Sequence, residues 1–345
     1  MTRLLELSER FIAYLTEQAI LIASTALIDT MMGIKSVFLE FFVLYKSNFP
    51  QALTAIFETR EGWLDITILT LISFLYYLTE ATLNAGIGAT IFRKGIISRY
   101  ERDSKEQNKL MLLRIAVKSF FILELANFLF IFKYRRYLQT LFDHLTGLYV
   151  VKRPSKIGRS KSLQYLLSSI LIYYVTFALF LLIFTTIAPV TPIPQGPGSP
   201  GKGPGFYSFF NQVFQNNLAI DLFDYVSGGF SIFIGSFVQL LSTNILETIA
   251  MSGFINGSTF QTSLRYLLPQ FFPETLGYVF GLATAMILGD IIISYFQSML
   301  RREKIEFFIK RVKEIGRIGG IFFLTSISLI LLGALVEASL GLLNI

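Results

Sequence analysis

The chain alternates long apolar runs, each about the length of a bilayer crossing, with short charged or Pro/Gly-rich stretches. The first run is Phe11–Met32, with Arg10 at its start and Glu17 two helical turns further along the same face. Gly33–Gly62 is mixed aromatic and polar with Pro50 in its middle, a pattern that predicts interfacial helices outside the bilayer core. A second span follows at Trp63–Ala85, with Asp65 near its mouth and Glu80 near its exit. Trp63 is the single tryptophan and stands where an interfacial anchor belongs.

Arg93–Lys109 reads as a charged loop. Leu110–Phe132 is apolar but carries Arg114, Lys118 and Glu124, with basic clusters on both sides. A simple crossing would leave one cluster on the wrong face, so this segment is expected to be re-entrant or interfacial, with both ends inside. Leu163–Ala188 is long enough to cross. Residues 189–205, PVTPIPQGPGSPGKGPG, form a Pro/Gly loop that cannot be helical and reads as a solvated connector. Tyr207–Phe230 and Ser231–Phe254 are two further spans around a Gly228–Gly229 break.

In Leu267–Gly281 two prolines, Pro269 and Pro273, precede Glu274. A helix is expected to start at Pro273, with Glu274 in its first turn at the positive end of the dipole. Gly277 and Gly281 then form a GxxxG face that admits a close neighbour. Thr275–Phe296 and Ile318–Leu340 complete the set, the latter with Glu337 near its end. The pattern as a whole predicts an all-α, polytopic helical membrane protein. It has about seven transmembrane helices plus one re-entrant or interfacial helical segment.

Composition narrows this further. At 53% hydrophobic and 15% charged residues, with mean hydropathy +0.59, the chain is too apolar for a soluble domain. The absence of cysteine excludes disulfides and thiolate chemistry, and the single histidine, His144, excludes multi-His metal sites. No nucleophile elbow or phosphate loop is visible, so neither enzyme activity nor a metal or cofactor is expected. The N-terminus is interrupted by Glu6, Glu9 and Glu17 and does not read as a signal peptide.

The net charge of +7 flanks the ends of the spans, a pattern of membrane orientation and anionic-lipid contact rather than nucleic-acid binding. Placing the N-terminus inside and the C-terminus outside leaves only Lys35, Lys46, Arg60, Lys202 and Arg265 on the outer side of a cell-membrane protein.

Two polar constellations stand out. An acid as deep as Glu17 costs roughly 2.5–3.5 kcal/mol on insertion scales, so it pairs with a base or is protonated. Arg10, Glu17, Arg114, Lys118 and Asp143 form the expected intramembrane cluster, read as a structural ion-pair group rather than a transport path. Asn216, Asn217, Asn244, Gln270, Glu274 and Glu337 are either the lining of a polar cavity or interhelical contacts.

Two modules resemble known families. In the N-terminal one, Arg10-Phe-Ile-Ala13-Tyr-Leu-Thr-Glu17, Phe92-Arg93-Lys94-Gly95 and Asp143-His-Leu-Thr-Gly147-Leu-Tyr-Val150-Val151 resemble the RDD family of small membrane domains, with glutamate for its aspartate at 17. In the C-terminal one, Asn216-Asn217, Asn256-Gly257, Pro269-Gln270 through Glu274, and Ala334-Leu-Val-Glu337-Ala are similar to the stage II sporulation protein M family. Gln270 stands where that family has histidine.

The resemblances imply a fusion of residues 1–161 with residues 162–345. They also imply an association with MoxR-type AAA+ ATPases, since genes of both families sit near them. Expected partners are therefore membrane lipids, anionic at the inner face, and other membrane or membrane-associated proteins, with homo-oligomerisation left open. The leading expectation is a non-enzymatic membrane scaffold or assembly component. The alternative is a transporter or channel for ions or small solutes.

Overall fold

The computed structural model describes residues 7–44, 48–83, 86–92, 94–98, 104–120, 123–124, 141–152, 160–189, 206–230, 234–257, 260–301 and 305–342. Twelve helices lie among them: α1 Leu7–Met31, α2 Val37–Leu44, α3 Phe49–Glu58, α4 Arg60–Leu83, α5 Ile87–Ile91, α6 Ser104–Ser119, α7 Leu141–Thr146, α8 Lys161–Leu182, α9 Phe206–Phe230, α10 Ile234–Gly257, α11 Phe260–Arg301 and α12 Ile305–Leu342. Six of them contain segments long and apolar enough to cross a membrane: Ser8–Met31, Arg60–Thr82, Lys161–Ile187, Ile234–Gly253, Phe271–Phe296 and Val312–Ser339. This is a helical, multi-pass membrane protein. The 25-residue α9 has the length of a span but is not among the six; it carries Asn211, Gln212, Gln215, Asn216, Asn217, Asp221 and Asp224.

α1 is the central helix, with 78% of its apolar window buried, against 28% for α4 and for α12, which present more surface to the surroundings. It packs on α4 and α5 from its own half and on α8, α10 and α11 from the other. One hydrophobic core therefore runs through both halves, from Ile12 and Ala19 to Ile172, Leu240 and Leu282. Buried serines and threonines in the helices return their hydroxyls to their own backbone, as Thr16 does to the Ile12 carbonyl (2.8 Å) and Thr248 to Asn244 (2.8 Å). That satisfies a polar group where no water competes.

The expected interfacial segment is two short helices, α2 and α3, with Pro50 in the first turn of α3 and the Asn48 side chain capping it. Trp63 is exposed and donates from its indole to the Phe57 carbonyl (2.9 Å).

Other expectations are corrected or fall partly outside the described residues. Arg93–Lys109 is not wholly a loop, because Lys94–Ser98 is a strand (β1) and α6 begins at Ser104. β1 pairs antiparallel with Leu148–Lys152 (β2), with Ile96 opposite Val150. The expected re-entrant segment Leu110–Phe132 lies half in α6, which packs on α4; most of its remainder is outside the described residues. Gly228–Gly229 does not break α9, which continues to Phe230.

α11 is continuous through Pro269 and Pro273, so Glu274 lies in a helix interior and not at an N-terminus. Proline removes one helical hydrogen bond, but a helix flanked by neighbours tolerates this, and α9, α8 and α12 all pack on α11. α8 ends in a π-helical turn, Ile183–Ile187, closed by the Ala188 N–H on the Ile183 carbonyl (2.8 Å).

Candidate functional site

At the end of the bundle where α1 begins, the structure assembles a buried ion-pair network from five segments. Glu17 of α1 is its centre. One carboxylate oxygen receives Lys94 Nζ of β1 (2.9 Å) and the Gly88 N–H of α5 (3.1 Å); the other receives Lys118 Nζ of α6 (2.9 Å). Glu80 of α4 closes the ring, 2.8 Å from Lys94 and 3.7 Å from Lys118. The Lys118 ammonium also sits over the Tyr77 ring, 3.4 Å from its centroid. Gly88 leaves no room for a side chain, since a Cβ there would come within 2.4 Å of Glu17 Oε1 and 2.5 Å of Lys94 Nζ.

A second bridge lies beside the first. Asp143 of α7 takes Arg10 of α1 on one oxygen and Arg114 Nε of α6 on the other (2.7 Å). Gly147, directly after α7, adopts φ 64°, a left-handed turn that leads into β2. The ribbon of β1 and β2 thus carries Lys94 on one strand and follows directly from the Asp143 helix on the other.

Electrostatics follow from burial set against partners. For Asp143, burial opposes the charged form, but Arg114 and Arg10 outweigh it and hold the carboxyl down at about 2. For Lys118, burial wins and lowers the ammonium to about 8, although Glu17 pulls the other way. Lys94 is equally buried yet raised, because Glu17 and Glu80 together overcome the same penalty. Both lysines share the Glu17 carboxylate; Lys118 is additionally held down by the charges of Lys94 and Arg114, and Glu80 stands nearly 1 Å closer to Lys94.

The five residues expected as one cluster, Arg10, Glu17, Arg114, Lys118 and Asp143, are therefore brought together in two adjoining groups. Sequence reading missed Lys94 and Glu80 as members. The available signal was position: Glu80 lies one turn from the end of α4, shortly before the basic stretch that begins at Arg93, where an acid has cations to meet.

The second expected constellation is only partly assembled. Asn244 is buried on α10 and donates to the Tyr173 carbonyl (3.1 Å) and Thr176 Oγ1 (2.7 Å), which makes it an interhelical contact. Tyr173 donates to Glu247, and Tyr278 donates to Glu274 (3.1 Å); the two tyrosine rings stack at 6.4 Å. α12 turns Gly333 toward Glu274, so close that a Cβ would lie 3.3 Å from Glu274 Cβ, and Glu337 follows one turn later. Asn216 donates to Asn217 on α9 (3.3 Å), and among the described residues neither bonds Glu274 or Asn244. The side chain of Gln270 lies outside the described residues.

Gly277 and Gly281 do serve close packing. A Cβ at Gly277 would meet Ile330 of α12 at 2.7 Å, and one at Gly281 would meet Asp221 Oδ1 of α9 at 1.7 Å. Asp221 fills that notch, with Ser326 of α12 donating to its other oxygen (2.7 Å). Between α1, α8, α10 and α11 is an apolar cleft lined by Ile12, Ile172, Phe237 and Met286, with room for about one water molecule. No group of three or more acidic or histidine residues able to hold a metal occurs among the described residues. Comparison with protein-family models, with curated proteins and with solved structures finds no match to this chain.

Proposed function

We propose that this protein is a non-enzymatic membrane scaffold, an assembly component whose two halves are locked together and whose basic inner face receives partner proteins. The observation that supports it most is the closed ion-pair network, which ties the N-terminal half together, while the shared core and the packing of α1 on α8 join the two halves. Glu17, Glu80 and Asp143 each hold two cations at hydrogen-bonding or near distance, in a buried site where α1, α4, α5, α6, α7 and the ribbon meet. Charges committed pairwise at such short range tie elements together and leave little for a moving ion.

Segments that carry the resemblance to the RDD family, around Arg10, Glu17, Lys94, Asp143 and Val150, converge on this one place, which supports that reading of the N-terminal half. In this reading the protein lies in the cell membrane with its N-terminus inside. A MoxR-type AAA+ ATPase and anionic lipids are its expected partners at the basic face.

The alternative, a transporter of ions or small solutes, draws on the stacked Tyr173–Glu247 and Tyr278–Glu274 pairs with Glu337 beside them. Two measurements on the full chain separate the readings. A scaffold co-purifies from native membranes with a protein partner at fixed stoichiometry and carries no flux in vesicles under proton or cation gradients. Flux that Glu274→Leu abolishes in a still-folded protein overturns the scaffold in favour of the transporter.

A further inference from the structure

At the opposite end of α1 from the ion-pair network, two carboxyl groups face each other with no cation beside them among the described residues. Asp29 of α1 and Asp65 of α4 are both 0% exposed, and they lie within hydrogen-bonding reach of one another. Asp65 Oδ2 is fully engaged: it accepts from the Val37 N–H (2.7 Å), the Phe38 N–H (3.1 Å) and Ser36 Oγ (3.3 Å), and so caps the first turn of α2. Asp65 Oδ1 and both oxygens of Asp29 are buried and accept no hydrogen bond among the described residues, although the Ser36 hydroxyl, already given to Asp65, lies near Asp29 as well. A buried acceptor without a donor is costly, and three on two touching carboxylates are not tolerated as two full negative charges.

Among the described residues nothing else in the neighbourhood supplies the missing charge. Lys35 and Glu40 pair with each other at 2.8 Å on the exposed side of α2. Glu58 of α3 and Arg60 and Glu61 of α4 are exposed or nearly so, and none of them bonds either aspartate. On α10 the acid is Glu247, held by Tyr173. On α11 the acids are Glu274, held by Tyr278, and Asp290, held by Lys161 at 3.1 Å. Lys94 and Lys118 are engaged with Glu17, about 18 Å along α1 from Asp29 at 1.5 Å per residue.

We propose that Asp29 and Asp65 form a proton-binding site that holds one shared proton, with a protonated Asp29 donating to Asp65 Oδ1. The proton turns an acid–acid repulsion into a hydrogen bond that clamps α1 to α4 and keeps Asp65 in place as the cap of α2. α2 in turn reaches the other half through Ser242, which donates to the Phe42 carbonyl (2.7 Å). The site makes the contact between the halves sensitive to pH at the end remote from the ion-pair network. It does not depend on the scaffold reading.

The sign of the dependence is set by proton count. The folded pair keeps a proton that both aspartates release in the unfolded chain at neutral pH, so stability falls as pH rises through the titration of the pair. The test uses the full chain in lipid nanodiscs, followed by infrared difference spectroscopy and by the thermal unfolding midpoint from neutral to alkaline pH. The parent should lose a protonated-carboxyl C=O band as pH rises, and its midpoint should drop by several degrees over the same interval. Asp29→Asn keeps a donor toward Asp65 and removes one charge; it should lack that band and show a flat midpoint. Asp65→Asn is the second variant, and loss of the band in either one assigns it to the pair.

A parent whose difference spectrum matches that of both variants overturns the proposal. So does an alkaline midpoint that sodium restores and choline does not, since a bound cation then replaces the proton.

Discussion

Glu17 accepts two lysines and a backbone N–H, and Asp143 accepts two arginines. Removing one charge from such a buried group strands its partners. Glu17→Gln leaves Lys94 with Glu80 alone and Lys118 with only a distant contact, and should cost about 3–5 kcal/mol. Thermal unfolding in detergent measures that loss. Adding Lys118→Met to Glu17→Gln should restore part of it, as a coupled pair requires; additive losses would mean that Lys118 and Glu17 do not interact.

Asp143 adds a pH signature. Its carboxyl titrates at about 2 when folded, against an ordinary value near 3.9. The resulting stability, about 2 kcal/mol, is complete above the ordinary value and lost as pH falls through about 2. Asp143→Asn should therefore unfold more easily at pH 6 than the parent, with the gap closing by pH 2. A gap that stays constant would show that the two arginines do not set the titration.

Among the elements, α11 carries most of the interhelical contact in the C-terminal half, and its glycines decide how closely its neighbours approach. Gly281 is a notch that Asp221 of α9 occupies, while Gly277 receives Ile330 of α12. Gly281→Ala puts a methyl group into the Asp221 carboxyl and should cost about 1–3 kcal/mol through overpacking. Asp221→Ala in the same chain should recover most of that loss, because it vacates the space the methyl group needs. Recovery separates a clash at this contact from a general intolerance of alanine in α11, and a double-mutant cycle on unfolding midpoints reads it directly. The continuity of α11 through two prolines has the same origin: packing on three sides holds a helix that its own hydrogen bonds would leave interrupted.

Across the whole molecule, contacts fix which ends share a side. Tyr165 of α8 donates to Ser8 of α1, Gln164 donates to the Ile91 carbonyl (3.1 Å), and Lys161 bridges to Asp290 of α11 (3.1 Å). The starts of α1 and α8 and the Asp290 turn of α11 therefore lie together, which predicts that the basic segments next to them share one side of the membrane. Single cysteines, introduced into a chain that has none, test this. Positions in 104–109 and 305–313 should label from one face, and positions in 188–189 and 33–36 from the other. Labelling of 104–109 and 305–313 from opposite faces would overturn the arrangement.

The helical membrane class, the main apolar helices and the short helices within 33–62 were legible in the chain alone, because bilayer thickness forces apolar runs of a given length and marks their ends with charge. The grouping of Arg10, Glu17, Arg114, Lys118 and Asp143 was legible for a related reason, since an ion in a low-dielectric interior demands an opposite one within reach.

Other features depend on neighbours distant in sequence, and local pattern does not specify those. Lys94 entered the network because β1 pairs with a strand more than fifty residues on. Pro273 failed to start a helix because α8, α9 and α12 hold α11 together through it. Asp29, an unremarked acid near the end of an apolar run, acquired a role only when α4 placed Asp65 against it.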